Sequence, residues 1–367
     1  MAEEFKKLGH EVEKFDYYDA FPNAKVSSIL GELMRPSFSV KAKAYVKENA
    51  HRFDVIDAHQ GNLPFSKQEL DFNGLLVARS VGLYAFYEEF NQFQKKKQPP
   101  PKIKTRLGNL MRSLKKDPVS LYPLSFQEAD LVNVPNCDEY SYISQVLQLG
   151  EKSQIIPFGL SQIRRRQFYK STEPLSKRII NKQVAFIGSW GLRKGSQDWG
   201  MIIRAIKQEI PKTNFLFLGT GLSEQKVLQD IGLSNCEFIK VIPNYDSEQL
   251  PKLLSSATVG AFPSYIEGFG FAMLEKLASG LPTVAYDVPG PRETLKLLDT
   301  SLLTPVGDVS AFAEKLISLL SMDLERYSEL SNQCIEVANQ FSWDIIAKQT
   351  LDLYYEYLEK ISYDSKH

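Results

Sequence analysis

Two glutamates and two glycines form the part of this sequence best suited to chemistry. Glu267 precedes Gly268 and Gly270, which follow a predicted buried strand, and Glu275 lies inside the next predicted helix. Glycine lets the backbone approach a ligand closely at a helix start, where unpaired N–H groups suit an anionic or polyhydroxyl ligand. Eight helical residues span about 12 Å, the order of the separation between a hexose and a ribose joined by a diphosphate. We expect one carboxylate to bind hydroxyls of the hexose and the other to bind hydroxyls of the ribose.

A second motif combines a strand, a glycine-rich turn and two cations. Residues 184–188 are an apolar strand ending at Gly188, followed by Ser189 and then by Arg193 and Lys194 in front of Gly195. A ligand that carries a diphosphate, as the spacing of Glu267 and Glu275 allows, needs positive charge beside its phosphate oxygens. Arginine supplies a bidentate fork and lysine a compact charge for such oxygens. The alternative is a pair of solvated turn cations.

Two weaker motifs lie further along the chain. A Gly-x-Gly turn, Gly219-Thr220-Gly221, ends a strand at 214–219, and Ile242 and Pro243 end the strand at 238–242. No GxGxxG fingerprint follows the first turn, so by itself it is weak support for a nucleotide site.

Apolar runs alternate with segments of helical periodicity throughout the C-terminal half, which predicts a parallel sheet covered on both faces. The predicted strands are 184–188, 214–219, 238–242, 259–263 and 283–286, and the predicted helices are 197–210, 224–231, 247–255 and 271–279. The N-terminal half repeats the pattern less regularly, with predicted strands at 10–15, 55–59, 75–79, 130–134 and 154–157.

We therefore predict an α/β protein with two Rossmann-like, doubly wound parallel-sheet domains facing a cleft. The predicted domains are residues 1–165 and residues 183–342. Residues 166–182 lack periodicity and are predicted to be a linker, and residues 343–367 to be a terminal helix at the domain junction and a tail. Ligands of such sheets bind beyond the carboxyl ends of the strands.

The composition excludes several classes of protein. The 367 residues are 43% hydrophobic and 24% charged with zero net charge, which is typical of globular domains and gives no indication of nucleic acid as a partner. Three widely spaced cysteines fit a reducing compartment, and neither a long apolar run nor a signal peptide is evident. The cysteine usage and the lack of such segments lead us to expect a cytoplasmic protein. Without an Asp-x-Asp pair at a strand end or a His/Cys cluster, we expect no metal and no cofactor.

The segment 265–282 resembles the E-x7-E signature of retaining glycosyltransferase family 4, whose members have the GT-B fold. The resemblance implies that Glu275 binds the ribose and that Glu267 contacts the donor sugar. It further implies that the turn Gly268-Phe269-Gly270, with Leu274 in the helix behind it, helps to hold the sugar. The sequences Gly290-Pro291-Arg292-Glu293, Gly307-Asp308 and Phe341-Ser342-Trp343 agree with the same family.

The resemblance also implies that residues 1–165 lie on the acceptor side and that residues 183–342 bind the nucleotide-sugar donor, and it assigns roles to the other motifs. Lys194 matches a lysine that neutralises the diphosphate, while Ser189 stands where similar enzymes have arginine, so Arg193 is expected to supply that charge. Gly188 shapes the same turn. The turn formed by Gly219, Thr220 and Gly221 is expected near the diphosphate, and the backbone at Ile242 and Pro243 near the nucleobase.

The implied activity is a retaining, metal-independent hexosyl transfer from a UDP- or GDP-sugar to a glycan or lipid-linked acceptor. The resemblance implies reaction on one face of the sugar, with the departing phosphate accepting the acceptor's proton and Glu267 orienting the sugar. A sugar phosphorylase or nucleotide-sugar epimerase fits the Glu267–Glu275 context less well. The alternative from another class is a non-catalytic subunit or pseudo-enzyme that binds nucleotide sugar.

The N-terminal half departs from the family pattern. The family's first strand and glycine loop have no counterpart, so either the start is misassigned or the protein is N-terminally truncated, and we expect poor stability or inactivity of this chain alone. Val81 stands where many relatives carry a cleft histidine. His59, at the end of a predicted strand, is a candidate cleft residue, although such histidines are more often packed or capping residues.

Basic residues crowd the segment 95–116, where apolar residues fall on one helical face. A basic amphipathic helix can lie on an anionic membrane surface, which suits a lipid-linked acceptor and a peripheral location on the inner face of the membrane. The alternative is a solvated helix whose apolar stripe packs on its own domain.

Overall fold

The chain forms two compact α/β units, each with its own parallel sheet and hydrophobic core. The computed structural model describes residues 1–22, 37–97, 118–234 and 236–364. The first unit comprises Met1–Ile156 and Ala347–His367, and the second comprises Pro157–Ile346. Both sheets are parallel throughout, which confirms the predicted fold class.

The first unit contains a four-stranded sheet in sequential order: β1 (Val55–His59), β2 (Leu75–Arg79), β3 (Leu131–Val134) and β4 (Ser153–Ile155). Its described helices are α1 (Ala2–Lys7), α2 (Tyr17–Ala20), α3 (Phe38–Asn49), α4 (Lys67–Leu70), α5 (Tyr84–Lys97), α6 (Pro118–Glu128), α7 (Cys137–Gln145) and, from Ala347 onward, the last helix of the chain.

The second unit contains a six-stranded sheet built from β5 (Gln183–Ile187), β6 (Asn214–Leu218), β7 (Ile239–Ile242), β8 (Val259–Phe262), β9 (Thr283–Tyr286) and β10 (Leu303–Thr304). Its described helices are α8 (Gln162–Ser171), α9 (Leu175–Asn181), α10 (Trp199–Glu209), α11 (Glu224–Ile231), α12 (Leu250–Leu254), α13 (Phe271–Ala278), α14 (Pro289–Leu295), α15 (Val309–Leu320), α16 (Leu324–Gln340) and the start of α17 (Trp343–Asp364).

The strand order of the second sheet, β10-β9-β8-β5-β6-β7, creates a switch point. The chain builds outward from β5 to β6 and β7, then returns to place β8 on the other side of β5. The connections that leave β5 and β8 therefore diverge, and in open parallel sheets ligands bind beyond the strand ends at such a point. The central strands carry apolar residues on both faces because helices cover both.

The structure differs from the sequence-based predictions in three places. Residues 10–15 form no strand: the Phe15 ring stacks on Tyr45 with centroids 4.2 Å apart, and the Arg52 guanidinium donates to Glu13 at 2.6 Å. Alternating apolar residues cannot distinguish a hydrogen-bonded strand from an extended segment that packs through its side chains. The short strand β10 was not predicted, because two residues carry no periodicity.

The predicted linker, 166–182, is the third difference. It lies within α8 and α9 of the second unit, and the boundary between the units falls after Ile156 rather than at 165. Phe168 is buried, and the buried Arg178 guanidinium donates to the carbonyls of Ala257 at 2.6 Å and Ser279 at 2.9 Å. A segment anchored by hydrogen bonds from a buried cation shows little hydrophobic periodicity, which explains the error.

The terminal helix α17 begins as predicted at Trp343, and its residues from Ala347 onward belong to the first unit. None of the described helices combines the length and apolar character needed to cross a bilayer. The predicted membrane contact at 95–116 falls almost entirely outside the described residues, since α5 ends at Lys97 and the chain is described again from 118.

Candidate functional site

The loops after β5 and β8 meet at the switch point of the second sheet through an ion pair. Lys194 lies at the end of a short 3₁₀ turn, Leu192–Lys194, and its ammonium group donates to the Glu267 carboxylate. The two side chains are only 14% and 13% exposed. The backbone N–H of Tyr265 also donates to the Arg193 carbonyl at 2.9 Å. The structure therefore brings together the cation and the acid that the sequence assigns to diphosphate and sugar.

Glycines make this close approach possible. Gly195 has a φ of +74°, and a Cβ atom there would lie 2.1 Å from the Pro263 carbonyl oxygen. Gly270, with a φ of +84°, is the N-cap of α13, so Glu267 precedes the helix by a left-handed turn rather than lying within it. A side chain at Gly188 would touch the Lys194 stem, with Cδ at 3.6 Å.

A buried carboxylate, that of Asp198, forms hydrogen bonds next to the same two loops. Asp198, 3% exposed, accepts hydrogen bonds from the hydroxyls of Tyr265 at 3.1 Å and Tyr286 at 2.7 Å. Burial raises the pKa of Asp198, while the two tyrosine hydroxyls act in the opposite direction. The carboxylate therefore ties the start of α10 to the loop after β8 and to the end of β9.

Glu275 forms the second ion pair of the site. Its carboxylate accepts from Arg164 Nη2 of α8 at 3.1 Å, and the side chains are 19% and 14% exposed. Burial raises the pKa of Glu275, and the Arg164 guanidinium opposes that rise. Tyr245, after β7, lies within electrostatic range of both, and its burial is the largest cause that raises its pKa to about 12.

Lys276, next to Glu275, is completely buried. Its ammonium group donates to the Ala261 carbonyl at 2.9 Å and lies 4.8 Å from the centroid of the Phe262 ring. The Lys194 ammonium lies 5.3 Å from the centroid of that same ring. Burial lowers the pKa of Lys276 to about 7, the nearby Lys194 adds to the effect, and Glu275 and Glu267 oppose it.

The turns after β6 and β7 are tied to one another by backbone hydrogen bonds. Gly219 N–H donates to the Ile242 carbonyl at 2.8 Å, and Gly221 N–H donates to the Pro243 carbonyl at 2.9 Å. Thr220 is buried, and its hydroxyl donates to the Leu222 carbonyl at 2.8 Å. The predicted diphosphate and nucleobase segments are therefore neighbours in the sheet.

The remaining predicted donor residues differ in exposure. Gly268 is buried in the turn, and the Phe269 and Leu274 side chains lie in the hydrophobic core of the unit, so only their backbone is placed for contact with a ligand. Ser189 and Arg193 are exposed on the loop after β5. The structure does not bring Ser189 or Arg193 into the two ion pairs.

His59 lies in the first unit, at the carboxyl end of β1. Its ring packs edge-to-face on Tyr84 with centroids 5.6 Å apart, and burial lowers its pKa. This environment fits the packed residue that the sequence left open as the alternative. A role for His59 in catalysis stays a prediction.

Sequence reasoning missed two charged residues of the site, Arg164 and Lys276. Arg164 stands in a polar stretch without periodicity, and nothing in its surroundings along the chain indicates Glu275 as its partner. Lys276 carried a usable signal, since a buried lysine in a helix that is apolar apart from it and Glu275 must either be paired or be neutral.

The site can therefore bind an anion next to a polyhydroxyl group. Lys194 and Arg164 supply positive charge, while the two glutamates offer acceptors for hydroxyl groups, all in a partly buried environment where electrostatic interactions are strong. The described residues contain no group of three or more His, Cys, Asp or Glu side chains placed to hold a metal ion. That the reaction needs neither a metal nor a cofactor stays a prediction.

The second unit is similar in sequence to known glycosyltransferases. The family described as Glycosyl transferases group 1 matches residues 173–341. A phosphatidyl-myo-inositol mannosyltransferase of Mycobacterium leprae is 29% identical over 179 residues, which cover 48% of this chain and 46% of that protein. A D-inositol 3-phosphate glycosyltransferase of Corynebacterium urealyticum is 33% identical over 192 residues, covering 49% and 43%. The matched stretches thus span less than half of these relatives.

Solved structures resemble a larger part of the chain. Sucrose-phosphate synthase from Thermosynechococcus elongatus has a TM-score of 0.64 at 22% identity, covering 87% of this chain and 77% of that one. HepE from Anabaena, solved in complex with UDP-glucose, has a TM-score of 0.63 at 18% identity, covering 90% and 84%. These similarities show the fold, and they confirm the GT-B assignment.

Proposed function

We propose that this protein is a retaining, metal-independent glycosyltransferase of family 4, since residues 173–341 match the Glycosyl transferases group 1 family. It transfers a hexose from a UDP- or GDP-sugar to a glycan or lipid-linked acceptor. The observation that carries this proposal is the pair of shielded ion pairs, Lys194–Glu267 and Arg164–Glu275, at the switch point of the second sheet.

In this proposal the donor binds along the loops after β5, β6, β7 and β8. The Lys194 ammonium has three donor hydrogens, so it can keep Glu267 while donating to a diphosphate oxygen. Glu267 then accepts from sugar hydroxyls, and Glu275, oriented by Arg164, accepts from the ribose hydroxyls. The backbone at Ile242 and Pro243 faces the nucleobase. The complex of HepE with UDP-glucose supports a uridine donor.

The reaction step follows from where charge develops. The bond between the anomeric carbon and the phosphate oxygen breaks, and the acceptor oxygen bonds to the same face of that carbon. The proton of the acceptor hydroxyl passes to the departing phosphate oxygen. Lys194 stabilises the negative charge that accumulates on the diphosphate, and Glu267 orients the sugar and stabilises its positive charge. No step requires a metal ion.

The acceptor is less defined than the donor. The relatives include a phosphatidyl-myo-inositol mannosyltransferase and a D-inositol 3-phosphate glycosyltransferase, which supports an acceptor carrying sugar-like hydroxyls, either free or attached to a lipid. We assign the acceptor side to the first unit, as the family resemblance implied.

The proposal is tested by measuring release of nucleoside diphosphate from UDP- and GDP-sugars, with binding of UDP and GDP followed by calorimetry. Lys194→Ala should lower turnover by about 10²- to 10³-fold. Glu275→Ala should weaken nucleotide binding by about tenfold to a hundredfold, the effect of losing hydrogen bonds to a charged group.

Lys226→Ala is the matched control, because it removes an ion pair of the same unit, Lys226–Asp230, whose side chains are 51% and 38% exposed. It should leave both readouts unchanged. Nucleotide binding without turnover, with any acceptor that carries hydroxyl groups, would favour the non-catalytic alternative. No binding of any nucleotide or nucleotide sugar would overturn the proposed function.

A further inference from the structure

Lys276 is a basic residue of the site that takes part in neither of the two ion pairs. It is 0% exposed, and the described residues offer it no carboxylate partner; its ammonium group donates to one backbone carbonyl, that of Ala261. An ammonium group has three donor hydrogens, and a buried charge without a counter-ion is costly. Lys276 therefore lies in a place where its proton is held weakly.

A glycine in the sheet provides the space for the Lys276 side chain, close to Lys194. A Cβ atom at Gly260 would lie 2.7 Å from Lys276 Cδ, so glycine is needed in β8 for the stem to pass. Both ammonium groups then contact the Phe262 ring, at 4.8 and 5.3 Å from its centroid. A change of charge beside Lys194 consequently acts on Lys276 through a mostly buried aromatic environment, where screening is weak.

Three charged side chains act on Lys276: Lys194 from the loop after β5, Glu267 from the loop after β8, and Glu275 from α13. With both ion pairs formed, Lys194 and Arg164 balance the two glutamates. Protonated Lys276 leaves this group with an excess positive charge, and neutral Lys276 leaves it balanced. The diphosphate of a nucleotide sugar would bring two negative charges to the same place.

Resting on the proposed function, we infer that Lys276 is a proton-coupled element of the donor site, which takes up one proton from solvent when a nucleoside diphosphate binds beside Lys194. The proton resides on Lys276 Nζ in the complex and returns to solvent on release. The N–H bond formed on Lys276 is the only covalent change in this step, and the ligand keeps all of its bonds. Lys276 acts through the charge it presents to Lys194 and the diphosphate, and it is a positioning residue.

The position of Lys276 on the titration scale supports this coupling. Its pKa of about 7 leaves it mostly neutral at pH 8 in the free protein. Negative charge beside Lys194 raises that pKa, because opposite charges favour the protonated lysine. Binding at pH 8 therefore draws in most of one proton, and affinity falls as pH rises above 7, by up to about tenfold per pH unit.

The experiment measures binding of UDP and GDP to the full chain by calorimetry at pH 8, in buffers that differ in enthalpy of ionisation. Terminal phosphates titrate near pH 6, so the ligand contributes little at pH 8. The expected result is a slope of observed enthalpy against buffer enthalpy that corresponds to proton uptake. Lys276→Met, which keeps an unbranched apolar side chain one atom shorter than lysine, should abolish the slope and flatten the dependence of affinity on pH.

Lys152→Met is the matched control. Lys152 also donates to backbone carbonyls, those of Gln127 at 2.7 Å and Ala129 at 2.6 Å, and burial lowers its pKa, but it belongs to the first unit. It should leave the slope unchanged. Binding without proton uptake in the wild type, or an unchanged slope in a folded Lys276→Met, would overturn this inference alone. Absence of binding would overturn the proposed function, and this inference with it.

Discussion

Gly195 carries a requirement that only glycine meets. Its φ of +74° lies in the left-handed region, and any Cβ atom would clash with the Pro263 carbonyl oxygen at 2.1 Å. The close approach of Gly195 to the Pro263 carbonyl also positions the preceding residue, Lys194, against Glu267. At the scale of single residues, the site is fixed by the places where two backbones approach as well as by its charged side chains.

Gly195→Ala should destabilise the second unit by at least about 2 kcal/mol, since it combines a strained backbone with a clash against a carbonyl. Urea unfolding measures the effect. Gly232→Ala isolates the backbone strain, because Gly232 has a φ of +78° and open space around it, and should cost about 1 kcal/mol. Gly191→Ala, with extended backbone and open space, should have almost no effect. Equal losses for Gly195 and Gly232 would show that the clash does not exist.

Glu139 connects several elements of the first unit. It lies in the first turn of α7, is 0% exposed, and accepts hydrogen bonds from the Ser80 hydroxyl after β2 and from Asn136 Nδ2 at 3.2 Å after β3. Gln60, after β1, joins the network by donating to Ser80 Oγ at 3.3 Å. One carboxyl group thus links the carboxyl ends of three neighbouring strands.

Burial raises the pKa of Glu139 to about 7 from its ordinary value of 4.5, although its hydrogen-bond donors act in the opposite direction. The folded state therefore holds this proton more tightly than the unfolded state. The stabilising contribution is complete below about pH 4.5 and is lost as pH rises to about 7. Its size is of the order of 3 kcal/mol.

Glu139→Gln should remove this contribution to the pH dependence, because glutamine does not titrate. Urea unfolding between pH 4.5 and 8 should give a difference between wild type and variant that shrinks or reverses as pH rises. The exposed Glu151→Gln serves as control and should run parallel to the wild type. A constant difference between wild type and Glu139→Gln over this range would refute the role assigned to Glu139.

At the scale of the whole molecule, the chain leaves the first unit after Ile156 and returns to it at Ala347. The returning helix, α17, packs Tyr354 against the β2 and β3 residues Leu75, Val77 and Leu131. Its hydroxyl donates to Asp57 Oδ2 at 2.7 Å and accepts from Arg79 Nη2 at 3.0 Å. The fold of the first unit thus depends on both ends of the chain.

Tyr354→Phe should destabilise the first unit by about 1–3 kcal/mol, because it removes one partner from a buried charged pair. Hydrogen exchange is the informative measurement: amides of β1, β2 and β3 should exchange faster, while those of β5 to β9 keep their protection. Tyr355→Phe is the control, since that hydroxyl is exposed and lies 3.4 Å from His10 Nε2. Equal acceleration in both sheets would show that the units unfold together.

Much of the fold can be predicted from the sequence, and for a local reason. Strands such as β5 and β6 are buried on both faces, so they appear as continuous apolar runs, and helices such as α11 show the periodicity of one buried face. The motif around Glu267 and Glu275 likewise occupies one short stretch. These features depend on residues that are neighbours along the chain.

The charge environment of the site was decided by the tertiary structure. Lys194 and Glu267 are 73 residues apart in sequence, and Arg164 and Glu275 are 111 apart. No local pattern records which distant segment a side chain will meet. The space that Lys276 occupies likewise depends on a distant residue, a glycine in β8. The sequence by itself determined the periodic helices, the apolar strands and the short motif around Glu267 and Glu275. Folding decided which charges are paired and which are left over, because ion pairing and burial depend on distances through space.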